Sequence, residues 1–181
     1  MSGEKRLEKL EKVRGEMGVL ERIASYVPGY RGYKEKELRR ESDRLVRMET
    51  VNKLRVAKDA LRRKLVDPAL LQKISSENTW AIDSLMSRLD RIIQRLDRAV
   101  AGYAGMFDSI KVREDKLDAV LQLDLELIEK ADSLKTSAEV FIKTAPGGNE
   151  WGQCINNLIL KIEEIEGLID RRVEIFRGLI G

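Results

Sequence analysis

A stretch rich in tyrosine, glycine and arginine, YVPGYRGYKEKELRR over 26–40, contains three of the four tyrosines of the chain. Aromatic rings beside arginine and lysine can stack on unpaired bases and hold phosphates, which is the chemistry of single-stranded nucleic-acid binding. The same rings can instead cover the open end of a helical core, because tyrosine buries its ring while its hydroxyl stays hydrogen-bonded. These residues alone leave both interpretations open.

A second glycine-tyrosine segment, GYAGMFDSIKV over 102–112, repeats the Gly-Tyr-x-Gly pattern of residues 29–32. If helix directions alternate, the two connections that contain these segments lie at the same end of a bundle. We therefore predict one partner-binding surface from both segments and the basic residues that follow the first. Its predicted residues are Tyr26, Tyr30, Arg31, Tyr33, Lys34, Arg39, Arg40, Tyr103 and Phe107.

Residues that commonly carry catalysis or bind metal ions are scarce in this chain. It has no histidine, so the usual group for proton transfer near neutral pH and the commonest metal ligand are both missing. The single Cys154 has no histidine to activate it and cannot assemble a zinc site. Neither a Walker A loop nor a dinucleotide-binding glycine pattern occurs. We expect no enzymatic activity, no metal and no cofactor.

Composition and apolar spacing predict an all-α protein. The 181 residues are 36% charged and 43% hydrophobic with only 3 prolines, which is typical of long amphipathic helices in one domain over 1–181. Apolar residues recur at intervals of three and four, and glycine or proline interrupts the pattern. The predicted helices cover about 4–25, 33–66, 68–101, 113–143 and 150–178. Similar lengths and short connections favour an elongated, antiparallel up-down bundle of about five helices, coiled-coil-like in its packing.

Two predicted helices have irregular apolar patterns. In the second, Leu45 lies on the face opposite Leu54 and Leu61, so we expect this helix to change packing partners midway or to bend there. In the third, Asp67 and Pro68 supply a start signal, but Trp80 lies opposite the apolar stripe. Either a helix begins anew at residue 76, or Trp80 meets another helix or chain; we favour the second alternative.

One carboxylate is expected to be buried. Asp124 lies within the apolar arc of the fourth predicted helix, and a buried carboxylate needs a partner. Arg44 lies at a similar depth in the second helix, which begins at the same end of the bundle. We predict a buried ion pair between Asp124 and Arg44, with Arg40 as the alternative to Arg44.

Charge is unevenly distributed along the chain. Residues 31–66 hold 13 Lys/Arg against 6 Asp/Glu, although the net charge of the whole chain is only +3. This excess either complements acidic neighbouring helices or forms a face that binds a polyanion. Residues 31–47 mix seven basic with four acidic side chains, which weakens the nucleic-acid interpretation.

The stretches PGYRGYKEKE at 28–37 and GYAGMFD at 102–108 resemble a family of uncharacterised bacterial and archaeal helical proteins. The resemblance extends over most of the chain and implies a helical fold. It brings no activity and no catalytic residue. The chain departs from the family pattern at Ala101, where relatives are expected to carry an aromatic residue.

The function favoured by these observations is a non-enzymatic adaptor that docks a macromolecule through its Tyr/Gly/Arg-rich end and basic second helix. A protein is the preferred partner, and RNA or the ribosome is the alternative. The single cysteine, the charged N-terminus and the lack of a long apolar run indicate a cytoplasmic protein. Peripheral membrane contact is not supported, and homo-oligomerisation is possible because Trp80 leaves apolar surface uncovered.

Overall fold

A computed structural model describes residues 15, 17–32, 39–103 and 114–178, and the ordered elements in these ranges are helices. The all-α fold expected from the apolar spacing is confirmed. The helices are α1 (17–26), α2 (Arg39–Leu65), α3 (Pro68–Leu71), α4 (Ser76–Tyr103), α5 (Glu114–Lys143) and α6 (Asn149–Gly178). Within the described ranges, no helix combines the length and the apolar content needed to cross a membrane.

The four long helices form a bundle in which directions alternate along the chain. Around the bundle, α2 lies between α4 and α5, and α6 also lies between them. Cross-helix ion pairs show that α2 runs antiparallel to α4, whereas α4 and α6 run parallel. These pairs are Lys58 with Asp90, Arg55 with Asp97, Arg88 with Glu163, and Arg95 with Asp170. The pairs Lys130 with Glu164 and Arg171 with Glu126 show in turn that α5 and α6 run antiparallel. The starts of α2 and α5 and the ends of α4 and α6 therefore share one end, here called the tyrosine end.

The apolar core is divided into two clusters. The main core fills the middle and the far end of the bundle, with Leu54, Leu89 and Leu158 fully buried. A smaller cluster lies at the tyrosine end, where α1 packs against the first halves of α2 and α5. Leu45 packs against the smaller cluster, so the predicted change of packing partners along the second helix is confirmed.

The third predicted helix is interrupted. A single turn, α3, is followed by a new helix at Ser76, and the Ser75 hydroxyl accepts a hydrogen bond from the Asn78 amide at 3.2 Å. The serine side chain thereby satisfies one of the free amides at a helix start, which a continuous helix would not need. The helix therefore begins anew, and Trp80 is 74% exposed. The prediction that Trp80 meets another helix of this chain is wrong for the described residues, and its contact with another chain stays a prediction.

The turn between α1 and α2 depends on glycine. Gly29 and Gly32 have φ values of 86° and 79°, a left-handed conformation that other residues adopt at a cost. A Cβ atom at Gly32 would also lie 2.8 Å from the Leu20 side chain. The Ser42 hydroxyl donates a 2.7 Å hydrogen bond to the Gly32 carbonyl, which fixes the turn against α2.

Candidate interaction site at the tyrosine end

The described residues of the predicted partner-binding surface differ in exposure. Arg31 is exposed and has no ionic partner in the part of the chain that the structure describes. Tyr26 is half-buried, and the ammonium group of Lys53 lies 5.3 Å from its ring centre. Tyr30 is only 6% exposed. Of these three residues, Arg31 presents the most freely accessible side chain.

The remaining predicted surface residues cannot be placed by their side chains. α4 ends at Tyr103, at the same end of the bundle as the first Gly-Tyr-x-Gly turn. The side chain of Tyr103 lies outside the described part of the structure. The same is true of the side chains of the other predicted residues, which are Tyr33, Lys34, Arg39, Arg40 and Phe107. Their part in the surface stays a prediction.

Tyr30 closes the core instead of facing a ligand. Its ring belongs to the smaller apolar cluster, and its hydroxyl donates a hydrogen bond to Asp124 Oδ2 at 3.3 Å. Burial, together with the negative charge of Asp124, raises the pKa of this hydroxyl far above its ordinary value of about 10. For Tyr30, the structure supports the interpretation of the tyrosines as a cover for the core.

Asp124 is buried and ion-paired, as expected of a carboxylate in an apolar arc, but its partner is Arg172 of α6. Arg172 Nε donates to Asp124 Oδ1 at 2.8 Å, and both side chains are almost completely buried. The prediction that Asp124 pairs with Arg44 is wrong. Arg44 is exposed and donates to Glu41 one turn earlier, because its position on α2 faces solvent. The alternative partner, Arg40, has no described side chain.

The Asp124–Arg172 pair continues into a buried ionic network. Arg172 Nη2 also lies 2.9 Å from Asp43 Oδ1, an ion-pair contact outside hydrogen-bond geometry. Asp43 Oδ2 accepts from Arg47 at 2.8 Å, and Arg47 donates to the Leu96 carbonyl at 3.4 Å. Two carboxylates and two guanidinium groups thus connect α2, α4, α5 and α6. The hydroxyl of Tyr30 also connects the turn after α1 to this network.

Three members of this network were missed in the sequence. Asp43 and Arg47 are four residues apart, which puts them on one helix face, and that face also holds buried Thr50 and Leu54. Arg172 follows Ile169 by three residues, on the apolar stripe of the last helix. The sequence signal for a buried ionic group is a charged residue on the apolar face of a helix. That signal was used to predict burial only for Asp124.

Tyr30→Phe is expected to change how the free energy of unfolding depends on alkaline pH. The folded state keeps the Tyr30 hydroxyl protonated, whereas the unfolded chain loses this proton above about pH 10, so the stabilising contribution is present below pH 10 and falls above it. Above pH 10, the wild type should lose stability faster than Tyr30→Phe, by a margin that approaches about 1.4 kcal/mol per pH unit. Urea titrations from pH 8 to about 11.5 measure this; parallel curves for the two proteins would contradict it.

An open trough lies beside the GYRG turn. Its floor is the outer face of α2, and its walls are the turn after α1 and the edge of α4; its volume is about 480 Å³. We call it the α2 trough. Its lining residues are Val27, Pro28, Leu45, Met48, Glu49, Val51, Asn52, Arg55 and Asp97. Met48 is 54% exposed within this surface, in which apolar and polar side chains are nearly balanced.

Charges at the rim of the α2 trough are largely neutralised. Arg55 is paired with Asp97 across two helices, and Glu49 lies 3.6 Å from Lys53. Among the described residues, no group of three or more Cys, Asp or Glu side chains could hold a metal ion. The trough therefore offers apolar contact and hydrogen bonding rather than a charged or metal-binding cavity.

Comparisons with protein-family models, with curated proteins and with solved structures found no match to this chain. The resemblance of the two glycine-tyrosine segments to a helical family consequently stays a prediction.

Proposed function

We propose that this protein is a non-enzymatic interaction module that docks a protein partner through the α2 trough and the neighbouring turn at 28–32. The observation that carries the proposal is the group of apolar side chains in the trough, Leu45, Val51 and the half-exposed Met48, bordered by polar residues. Methionine side chains adapt their shape to a partner, and exposed apolar surface bordered by polar groups is typical of interaction sites. Arg31, exposed on the same turn, adds a positive charge beside this surface.

The charges around the trough favour a protein over RNA as the partner. Nucleic-acid binding relies on cations that neutralise phosphates. Near the trough, Arg44 and Arg55 already have carboxylate partners in Glu41 and Asp97. A polyanion would have to break these pairs, whereas a protein that contacts the apolar side chains of the trough would leave them in place.

Met48→Glu is expected to remove partner binding, because a carboxylate would have to be desolvated at the centre of the contact. We suggest affinity capture from the native cell lysate, followed by measurement of recovered protein. Recovery should fall at least about tenfold, which corresponds to about 1.4 kcal/mol. Leu160→Glu is the matched control, since Leu160 is similarly exposed at 59% but lies on α6, away from the trough.

Equal recovery with Met48→Glu and the wild type would contradict docking in the trough. Retention of the wild type on a polynucleotide column tests the RNA alternative. Retention that falls steeply between about 50 and 200 mM salt, together with equal protein recovery by Met48→Glu and the wild type, would favour RNA over a protein partner.

A further inference from the structure

A second surface, on the side of α4 that faces away from the bundle, has an unusual composition. Its exposed residues recur at intervals of three and four and form one line about 32 Å long. We call this line the α4 stripe. Its residues are Glu77, Trp80, Asp83, Ser87, Arg91, Gln94 and Arg98, and all of them are exposed.

Trp80 is the most exposed large apolar side chain of the described chain, at 74%. With about three quarters of its side chain exposed, Trp80 packs little against the described part of the bundle. Large, rigid aromatic side chains of this kind dominate the binding energy of many protein interfaces. The exposure of Trp80 therefore points to contact with another molecule.

Charges on the α4 stripe are unpaired and separated by sign. Glu77 and Asp83 lie on its N-terminal half, whereas Arg91 and Arg98 lie on its C-terminal half, and none of the four has an ionic partner among the described residues. The other charged residues of α4 are already engaged by α2 or α6. Those residues are Arg88, Asp90, Arg95 and Asp97. Among the described side chains of α4, unpaired charge is thus confined to the stripe.

We infer that the α4 stripe is the contact surface between two copies of this chain, with the two α4 helices antiparallel. A twofold axis through Ser87 places Asp83 of each copy opposite Arg91 of the other, because both are four residues from the axis. Trp80 then lies opposite Gln94. Glu77 lies within one residue of the position opposite Arg98. The stripe is complementary in charge to itself only in this antiparallel arrangement, and the small Ser87 side chain allows close approach at the crossing.

The dimer should be weak and sensitive to salt. A single pair of crossing helices buries less than the roughly 1,200–2,000 Å² of a standard stable interface. Its ion pairs are exposed at the rim, so they direct the register more than they strengthen binding, and salt screens them. We expect a dissociation constant on the order of 1–100 µM at about 50 mM salt, rising several-fold at about 500 mM.

Sedimentation velocity of the full chain between about 1 and 200 µM tests the contact. The wild type should pass from monomer to dimer, and Trp80→Ala should raise the dissociation constant at least about tenfold. Leu160→Ala, an exposed apolar residue on α6, is the control and should dimerise like the wild type. A wild type that is monomeric at about 200 µM, or a Trp80→Ala variant that dimerises normally, would overturn the proposal.

Charge reversal tests the antiparallel register. Asp83→Arg alone and Arg91→Asp alone should each dimerise poorly, because each homodimer sets like charges opposite one another. An equimolar mixture of the two variants should dimerise like the wild type, since each reversed residue then meets an opposite charge. Failure of the mixture, when the wild type dimerises, would show that the copies meet in another way.

A nucleic acid is the other candidate occupant of this stripe, because it also combines an exposed tryptophan with arginines. A monomeric wild type that bound poly(U) at about 50 mM salt and lost this binding in Arg91→Asp would replace the dimer with that occupant.

Discussion

Arg172→Met is expected to lower the free energy of unfolding by about 3–5 kcal/mol, because it leaves two buried carboxylates without their shared cation. Arg172 lies 2.8 Å from Asp124 and 2.9 Å from Asp43, and its own side chain is 3% exposed. Methionine keeps most of the side-chain volume, so the loss of stability reflects the removed charge rather than lost packing. Urea denaturation at neutral pH, followed by circular dichroism, measures the change.

The neighbouring residue supplies a matched control. Arg171 has the same side chain but is 61% exposed and lies 3.9 Å from Glu126, so Arg171→Met should change stability by less than about 0.5 kcal/mol. The double variant Asp124→Leu/Arg172→Met should be less destabilised than the sum of its single changes, because it removes both members of a buried pair. Additive effects would show that the two residues contribute independently.

Trp151→Ala is also expected to lower the free energy of unfolding by about 3–5 kcal/mol, because it removes packing from the main core. The Trp151 side chain is fully buried near the start of α6, and its ring lies 5.0 Å from the ring of Phe141, centre to centre. No described group accepts a hydrogen bond from its Nε1 atom. Trp151→Phe should therefore cost clearly less, about 1–2 kcal/mol, because it deletes part of the ring but breaks no hydrogen bond.

The two tryptophans of the chain form a natural comparison. Trp80 is 74% exposed, so Trp80→Ala should change the stability of the monomer by less than about 0.5 kcal/mol. Unfolding should be measured at about 0.1 µM, well below the dissociation constant of the proposed dimer. If the two alanine variants were equally destabilised, the assignment of one tryptophan to the core and the other to the surface would be wrong.

The buried ionic network and the two proposed contact surfaces have separate roles in this protein. The network of Asp43, Arg47, Asp124 and Arg172 holds the ends of four helices in register and lies beneath the surface. The α2 trough and the α4 stripe lie outside it on different faces. Stability changes from the network and binding changes from the two surfaces can consequently be measured with different variants of the same chain.

The sequence by itself determined the fold class and most helix boundaries. Apolar residues at intervals of three and four specify amphipathic helices through local geometry, and Pro68, Gly29 and Gly32 stop or redirect the chain through their own backbone restrictions. The burial of Asp124 was likewise readable, because it interrupts an apolar face. These signals depend on residues near one another in the chain.

Only the tertiary structure decided which residues meet across helices. Asp124 could be assigned to the core from its own helix, but the choice of Arg172 over Arg44 depends on how α5, α6 and α2 are rotated about their axes and arranged around the bundle. The same rotation buried Tyr30 against Asp124 and left Trp80 in solvent. Rotation and neighbour order are set by the joint packing of side chains that lie far apart in sequence, so no local pattern encodes them.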